Sequence, residues 1–210
     1  MAVCNPFDSG YVESAELRTL GFASIGTNVR IARACTIIGP ENISLGDHVR
    51  IDPYSILVAS GPGKLEIGSH VHVGGWGFLS ANEGLVLGDF CGLSQGVRIY
   101  TRSDDFSGEF LTNPTVPAAY TNVRGAAVCL QRHVIIGSGS VILPGVTIGE
   151  GSAVGALSLV KRDLAAWGIY FGSPARFLKP RSRGLLDMEA ALHAEKAARP
   201  GTMEAAEYLA

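Results

Sequence analysis

Residues 130–160 read LQRHVIIGSGSVILPGVTIGEGSAVGALSLV, and this stretch decides the fold. A short, fixed period predicts a stacked repeat, because one turn cannot bury its own apolar side and is completed by its neighbours. Here an aliphatic residue returns at every sixth position: Leu130, Ile136, Ile142, Ile148, Val154 and Val160.

The same six-residue period extends upstream through most of the chain. It predicts about six turns of about eighteen residues, each with three inward-facing positions. The upstream inward positions, in groups of three, are Ile25, Ile31 and Ile37; Leu45, Ile51 and Leu57; Ile67, Val73 and Leu79; Leu87, Leu93 and Ile99.

A second set of positions, two residues before each inward one, supports this register. These residues face the same side of a strand, and all are small or aliphatic, as at Val29, Cys35 and Gly77. Glycines such as Gly26 and Gly88 follow the inward residues at the bends, where a missing side chain relaxes the backbone limits. The pattern therefore predicts an all-β solenoid, a three-sided parallel β-coil. A β-sandwich has no reason to keep a six-residue period.

Composition limits the classes of function. With 210 residues, a formal net charge of −2 and a pI of about 6.2, the chain lacks the basic surface of a nucleic-acid-binding protein. No apolar run approaches eighteen residues, and the amino terminus does not resemble a secretion signal, so we expect a cytoplasmic protein without membrane insertion. The cysteines show no ligand-like spacing, and the register places Cys35 and Cys91 inside the coil, so no metal site is expected.

The flanks of the coil read as helical. A short helix is predicted from Ser14 to Leu20, with Ser14 as its N-cap and Gly21 as its stop, where it plugs one end of the coil. We divide the chain into an N-terminal segment (1–21), the coil domain (22–179) and a C-terminal helical tail (180–210). The tail pattern places Leu185, Leu186, Met188 and Leu192 on one side of a helix, until Pro200 and Gly201 interrupt it.

One interruption of the period stands out. The turns that begin at Leu87 and Leu130 are separated by 43 residues, about 25 more than one turn requires. The surplus is expelled as a loop over about 101–127, which reads TRSDDFSGEFLTNPTVPAAYTNVRGAA. A long loop on a compact fold is functional or disordered, and the aromatic residues and prolines favour an ordered functional loop.

Several segments carry a resemblance to a known family, two to the class as a whole and three to a group within it. VIIGSGSVILPGVTIGEGSAVGALSLVKRDL (134–164) and GIYFGSPARFLKPR (168–181) resemble the left-handed β-helix acyltransferases of the hexapeptide-repeat class, and the likeness covers about 20–183. YTRSDDFSGEFLTNPTVP (100–117), YTNV (120–123) and RHVIIG (132–137) look most like dTDP-4-amino-4,6-dideoxyglucose N-acetyltransferases of surface polysaccharide synthesis. Galactoside and maltose O-acetyltransferases are more distantly similar. The left hand of the coil comes from this resemblance, since the period does not give it.

The resemblance implies a homotrimer with active sites between subunits, acetyl-CoA as co-substrate, a nucleotide-sugar acceptor, and a loop that crosses to the neighbour. By position, Ser138 matches a residue that orients the pantetheine or thioester, and Ala156 matches a backbone contact to CoA. Cations are needed close to the phosphates of CoA. The residues that match basic positions near its adenosine end are Lys161, Arg162, Arg176 and Lys179.

One position departs from the galactoside-type pattern. Where those enzymes have a histidine as general base, this chain has Asp104, followed by Asp105. A hydroxyl needs a well-tuned base, whereas an amine already has a lone pair once it is deprotonated. Carboxylates can hold the incoming ammonium, and mutual repulsion or burial can raise one pKa enough for proton transfer. The pair therefore favours N-acetylation, although it can also simply turn the loop.

His133 is the rival base. His48, His70, Phe90 and His133 occupy equivalent outward positions in their turns and predict a ladder of rings with a spacing of about 4.8 Å. A catalytic role next to the loop and a structural role in the ladder both remain open for His133. His72 reads as packing.

Three functions are compatible with these features. The main prediction is an acetyl-CoA-dependent N-acetyltransferase acting on a nucleotide-linked amino-dideoxysugar. The alternatives are a sugar O-acetyltransferase and, more remotely, a metal-dependent trimeric β-helix enzyme, for which the histidine spacing is awkward.

Overall fold

A computed structural model describes residues 9–198. Most of its strands are short, as expected for a chain that bends every six residues. In chain order the elements are β1 (Tyr11–Glu13), α1 (Ser14–Leu17), β2 (Ser24–Ile25), β3 (Arg30–Ala32), β4 (Thr36–Ile38), β5 (Ile43–Leu45), β6 (Arg50–Ile51), β7 (Ile56–Val58), β8 (Leu65–Ile67), β9 (His72–Val73), β10 (Phe78–Ser80), β11 (Leu85–Leu87), β12 (Gly92–Leu93), β13 (Arg98–Ile99), β14 (Arg102–Ser103), β15 (Arg124–Gly125), β16 (Val128–Leu130), β17 (Ile135–Ile136), β18 (Val141–Ile142), β19 (Thr147–Ile148), β20 (Ala153–Val154), β21 (Leu159–Val160), β22 (Gly168–Phe171), β23 (Arg176–Pro180) and α2 (Leu185–Ala198). Single 3-10 turns cover Pro40–Asn42 and Ala118–Tyr120.

Three parallel sheets form the three faces of a solenoid, which confirms the predicted fold class. Face 1 contains β2, β5, β8, β11, β16 and β19, and face 3 contains β4, β7, β10, β13, β18 and β21. Face 2 runs from β3 through β6, β9, β12, β17 and β20 to β22, with β1 and β23 added antiparallel at its two ends. The chain therefore visits face 1, face 2 and face 3 in turn.

The strand register is the one that the six-residue period predicts. Ile25 pairs with Leu45, and Leu87 pairs with Leu130 across the expelled loop. Ile25 and Ile37 pack against the core while partly exposed, and the other predicted inward positions are buried. Burying one aliphatic side chain is worth about 1.5–3 kcal/mol, so this column dominates the stability of the coil.

The structure extends the predicted turns by a partial seventh. β22 lies parallel to β20 on face 2, and Leu164 and Tyr170 are both 6% exposed in the core. Leu164 pairs with Ile148, and Tyr170 pairs with Val154. Each of these steps spans sixteen residues instead of eighteen, so the period does not reveal the last turn.

The reason proposed for the bend glycines is wrong. Gly26 and Gly88 do not have the positive φ that favours glycine, which is found instead at bulky corner residues such as His48 (φ 56°) and His70 (φ 59°). The glycines are required because neighbouring coils approach closely. A Cβ on Gly26 would lie 2.5 Å from the carbonyl carbon of Gly46.

The two helices differ from expectation in detail. Ser14 is the first residue of α1 and not its N-cap, and its hydroxyl accepts the backbone N–H of Val29 at 2.7 Å. The helix ends at Leu17, which is 2% exposed and plugs the coil as predicted. On α2, Met188 is 67% exposed, whereas Leu185, Leu186 and Leu192 are partly buried, so Met188 does not share the burial of the other three predicted apolar residues. The predicted break at Pro200 and Gly201 lies outside the described residues.

The close approach of the coils gives a test. In Gly88→Ala the new Cβ would lie 2.8 Å from the backbone nitrogen of Arg132, and backbone cannot move aside as a flexible side chain can. Overpacking of this kind costs about 1–3 kcal/mol, so we expect urea denaturation to show a loss of that size.

Gly92→Ala is the matched control in the same coil. Its Cβ would meet only Cγ1 of Ile135, at an ordinary 3.8 Å, so stability should change little. Equal stability of the two variants would contradict the proposed role of the bend glycines.

Candidate active site

The expelled loop is anchored at its base. Thr101 is fully buried, and its hydroxyl donates to the Ser80 carbonyl at 2.9 Å while accepting the backbone N–H of Glu83. Strands β14 and β15 then pair antiparallel, and Arg102 forms an ion pair with Glu83. The two carboxylates follow β14 directly, so they project from an anchored position.

The carboxylates differ in their surroundings. Asp105 accepts the hydroxyl of Ser107 at 2.6 Å and its backbone N–H at 3.0 Å, and the side-chain hydrogen bond lowers the pKa of Asp105. Asp105 is therefore held ionised in a local turn and is not the carboxylate whose pKa the pair was expected to raise. Asp104 is half-buried and accepts one long hydrogen bond, from the Asn113 N–H at 3.4 Å. Asp104 is the carboxylate with acceptor capacity to spare.

The predicted ladder of rings is confirmed. We call His48, His70, Phe90 and His133 the ring ladder, and its successive centroids are 4.6, 4.8 and 5.1 Å apart. All four residues have φ between 56° and 62°, which turns each side chain outward at the corner from face 1 to face 2.

Helix α2 covers the ring ladder, a contact that the sequence did not predict. His133 is 6% exposed, and its Nε2 lies 2.9 Å from Oε2 of Glu189, which also pairs with Arg132. Burial opposes ionisation of Glu189, but the hydrogen bond to His133 and the charge of Arg132 outweigh it and lower the pKa of Glu189. Further along the helix, Nζ of Lys196 donates to Nε2 of His70 at 2.8 Å. Charged contacts therefore attach α2 to the coil.

Within one chain, the fold does not bring the two candidate bases together. The loop with Asp104 leaves face 3 after β13 and returns to face 1 at β16. His133 lies on the next corner, between β16 on face 1 and β17 on face 2. A substrate held by both residues of one chain would therefore have to reach from one corner of the coil to the next.

Two of the candidate CoA residues, Ser138 and Ala156, form a column, which we call the CoA column after the role predicted for them. Ser138 and Ala156 each follow an inward residue by two positions, at Ile136 and Val154, which pair in register. They therefore stack on successive coils at the corner from face 2 to face 3. Oγ of Ser138 donates to Oε1 of Gln95 at 3.4 Å, one coil below.

The basic candidates lie at the carboxyl-terminal end of the coil. Lys161 and Arg162 follow β21, and Arg176 and Lys179 lie on β23, all four exposed. Within residues 9–198 none of the four has an acidic partner. Their charge is therefore available to an anion.

Sequence reasoning missed two polar clusters. Asp52 accepts hydrogen bonds from Tyr11 and Arg50, and its Oδ2 lies 2.8 Å from Nε2 of His72, so His72 makes a hydrogen-bonded contact on face 2 and not simple packing. Arg181 donates to three carbonyls of neighbouring turns, with the His133 oxygen closest at 2.8 Å. Neither cluster has a local signal, because each joins residues from distant parts of the chain, such as Tyr11 and Asp52 or Arg181 and His133.

Two further observations concern metals and membranes. Among residues 9–198, no group of three or more His, Cys, Asp or Glu side chains is arranged to hold a metal ion. In the same part of the chain, neither helix combines the length and the apolar content needed to cross a bilayer.

Comparison with solved structures assigns the fold and its class. The hexapeptide-repeat containing acetyltransferase from Vibrio cholerae superposes with a TM-score of 0.53 at 24% identity, covers 80% of this chain and 78% of its own, and shows the fold. The N-acyltransferase AntD from Bacillus cereus, in complex with dTDP and 3-hydroxybutyryl-CoA, superposes with a TM-score of 0.85 at 41% identity over 91% of this chain and all of its own. The class that this comparison indicates is that of the hexapeptide-repeat acyltransferases.

Comparison of sequences narrows the class. The chain is 37% identical over 179 residues to the dTDP-4-amino-4,6-dideoxy-D-glucose acyltransferase of Escherichia coli, a match that covers 85% of this chain and 93% of that protein. The chain belongs to this family of dTDP-4-amino-4,6-dideoxyglucose acyltransferases, as its loop and end motifs predicted. No family model matches the chain.

The ring ladder predicts a pH dependence of stability. Burial lowers the pKa of His70 to about 4, and the charges of Lys196, His48 and His193 act in the same direction. Asp89 opposes them. Between pH 6.5 and 4 the unfolded chain binds a proton that the folded chain excludes, so this contribution to stability is complete above pH 6.5 and is lost as the pH falls.

His70→Phe keeps a ring in the ladder, as Phe90 already does, and removes the titrating group. We expect the free energy of unfolding, measured by urea at pH 7.5, 6, 5 and 4, to fall less steeply with acid than in the wild type. Identical slopes in the two proteins would contradict this assignment.

Proposed function

We propose that this chain transfers the acetyl group of acetyl-CoA to the amine of dTDP-4-amino-4,6-dideoxyglucose, an N-acylation that serves surface polysaccharide synthesis. The observation that carries the proposal is the similarity to the Escherichia coli acyltransferase over nearly the whole chain. A second AntD structure, of a serine-to-alanine variant at 40% identity, contains both dTDP-4-amino-4,6-dideoxyglucose and Coenzyme A. The two ligands in that relative are the two substrates that we propose here.

The reaction forms one bond and breaks one. The neutral amine attacks the thioester carbon, a C–N bond forms, the C–S bond breaks, and CoA leaves as a thiolate that takes up a proton. The amine reacts once its ammonium form has lost a proton and its lone pair points at the thioester carbon. This is less demanding than the activation of a hydroxyl, which needs a well-tuned base. We assign the positioning of the ammonium to Asp104, because Asp105 is committed to Ser107.

The structure supports this choice over His133 in one respect. His133 is nearly buried under α2, and its Nε2 already faces Glu189. We therefore assign His133 to the ring ladder and keep it as the second candidate base.

Backbone groups of the CoA column supply a donor for the oxyanion. The N–H groups of Gly137, Gly139 and Ser140 donate to carbonyls of the coil, whereas that of Ser138 has no acceptor within residues 9–198. An aimed N–H next to a developing oxyanion lowers the barrier in acyl transfer. The Ala156 N–H likewise has no acceptor in that range, as a backbone contact to CoA requires. The phosphates of CoA then face the exposed cations Lys161, Arg162, Arg176 and Lys179.

We further propose a cytoplasmic homotrimer with active sites between subunits. The corner from face 2 to face 3 exposes stacked Tyr54 and Trp76, which are 56% and 65% exposed, and Leu157 lies above them. Phe106 at the loop tip is 92% exposed. Exposed apolar groups of this kind mark contact surfaces, and a loop that crosses to a neighbour would cover Phe106.

The substrate assignment is tested by free-thiol release from acetyl-CoA. We expect rapid turnover with dTDP-4-amino-4,6-dideoxyglucose and little with galactosides or simple amino sugars. Turnover of galactosides alone would identify a sugar O-acetyltransferase and would contradict the proposal. Comparing acetyl-CoA with 3-hydroxybutyryl-CoA in the same assay decides the acyl group.

The site assignment is tested by a pair of variants. Asp104→Asn removes the charge that holds the ammonium, so kcat should fall about 10²- to 10⁴-fold while the KM for acetyl-CoA changes little. Lys179→Ala should instead raise the KM for acetyl-CoA and leave kcat within a few-fold, because a lost phosphate contact weakens binding. Wild-type turnover by Asp104→Asn would exclude the carboxylate and would leave His133 as the base.

A further inference from the structure

An ion pair between Glu83 and Arg102 lies at the base of the expelled loop, and Arg102 precedes Asp104 by two residues. The side chains of Glu83 and Arg102 are 27% and 42% exposed. Ion pairs at such exposure contribute little to stability. The pair is therefore of more interest for the charges around Asp104 than for the stability of the fold.

The loop base does not need this ion pair to keep its place. The Thr101 hydroxyl donates to the Ser80 carbonyl at 2.9 Å and accepts the backbone N–H of Glu83 at 3.2 Å. The Thr101 carbonyl accepts the backbone N–H of Ala126 at 3.0 Å, where the loop returns to the coil. None of these contacts uses the Glu83 carboxylate, so they persist when it is removed.

The Glu83 side chain covers the side of the loop base that Arg102 occupies. Arg102 lies opposite Gly125 across β14 and β15, so their side-chain positions share one side. A Cβ on Gly125 would lie 2.6 Å from Cγ of Glu83, which shows how closely the two residues pack. Alternate residues of an extended segment point the same way, and this spacing places Asp104 on the same side as Arg102.

The other arginine of the loop base belongs to the other side. Arg124 lies opposite Ser103, one position along from the first pair. The pKa of Asp105 is lowered first by its hydrogen bond from Ser107, and the charge of Arg124 acts in the same direction. Arg124 therefore acts on Asp105.

Arg102 is consequently the cation placed to compete for Asp104. Its Nε donates to Oε1 of Glu83 instead. In the part of the chain that the structure describes, Asp104 forms no ion pair, and it accepts one long hydrogen bond, from the Asn113 N–H. Glu83 thus occupies the guanidinium that would otherwise be available to Asp104.

We propose that Glu83 is a positioning residue of the acyl transfer, which holds Arg102 away from Asp104 and so keeps the Asp104 carboxylate for the ammonium of the acceptor. The inference rests on the proposed function, in which Asp104 receives that ammonium. A guanidinium and an ammonium bind the same carboxylate oxygens through charge-assisted hydrogen bonds, so they compete. An arginine this close to the site interferes unless a second carboxylate engages it.

The test compares the wild type with Glu83→Ala, Arg102→Ala and the double variant, by free-thiol release from acetyl-CoA with dTDP-4-amino-4,6-dideoxyglucose. In Glu83→Ala we expect kcat to fall about tenfold, because the freed guanidinium bonds to Asp104, while the KM for acetyl-CoA is unchanged. Arg102→Ala lacks the competing cation and should stay within a few-fold of the wild type. The double variant should recover the kcat of Arg102→Ala.

A purely anchoring role predicts a different pattern. The ion pair is lost in all three variants, so an anchor would make them equally slow. That pattern, or a wild-type kcat in Glu83→Ala, would overturn the inference. Glu83→Gln keeps the shape of the side chain beside Gly125 and removes its charge, so it should act in the same direction and guards against a local folding defect in Glu83→Ala.

Glu66→Ala is the matched control. Glu66 is an exposed carboxylate on β8, and within residues 9–198 it has no ion-pair partner, so its removal should leave kcat unchanged. An active wild type without the recovery in the double variant would overturn the inference alone. A wild type that does not turn over the nucleotide sugar would overturn the proposed function, and the inference with it.

Discussion

The vertical stacking of short parallel strands is the constraint on which the rest of this structure depends. Each inward side chain lies in register with its equivalent one turn away, and the bend glycines let backbone meet backbone between turns. Such an interior has no room for a polar site or a bound ligand. All chemistry must therefore take place on the three outer faces, on the corners between them, or on segments that leave the coil.

The outer surface divides into regions of different character. The face 2 to face 3 corner carries the candidate CoA residues Ser138 and Ala156 and exposed aromatic residues, the loop carries Asp104, and the face 1 to face 2 corner carries the ring ladder. Helix α2 contacts the coil through Glu189 and Lys196, so charged and polar contacts help to fix its place. Ion pairs also anchor the base of the loop, through Arg102 and Glu83, and join Arg33 to Glu16 on α1.

The fold and the candidate site were not equally accessible from sequence. Inward positions, the expelled loop and the ring ladder follow from one short period, because a stacked fold repeats the same environment at every turn. The last turn was missed since its steps shorten to sixteen residues, and Ser14 was misassigned because its acceptor role depends on Val29 in the first turn. The motifs of the family identified the candidate site residues, but they did not reveal that Asp105 is committed to its own loop.

By itself, the sequence determined the solenoid, its register, the place of the loop and the family, because each of these is written in local period or contiguous motif. The tertiary structure alone decided which distant groups meet. His133 meets Glu189 of the terminal helix, and Asp52 meets His72 and Tyr11 from other strands of face 2. These contacts depend on the direction in which the side chains at each corner point and on the position of the terminal helix. No short stretch of sequence encodes either.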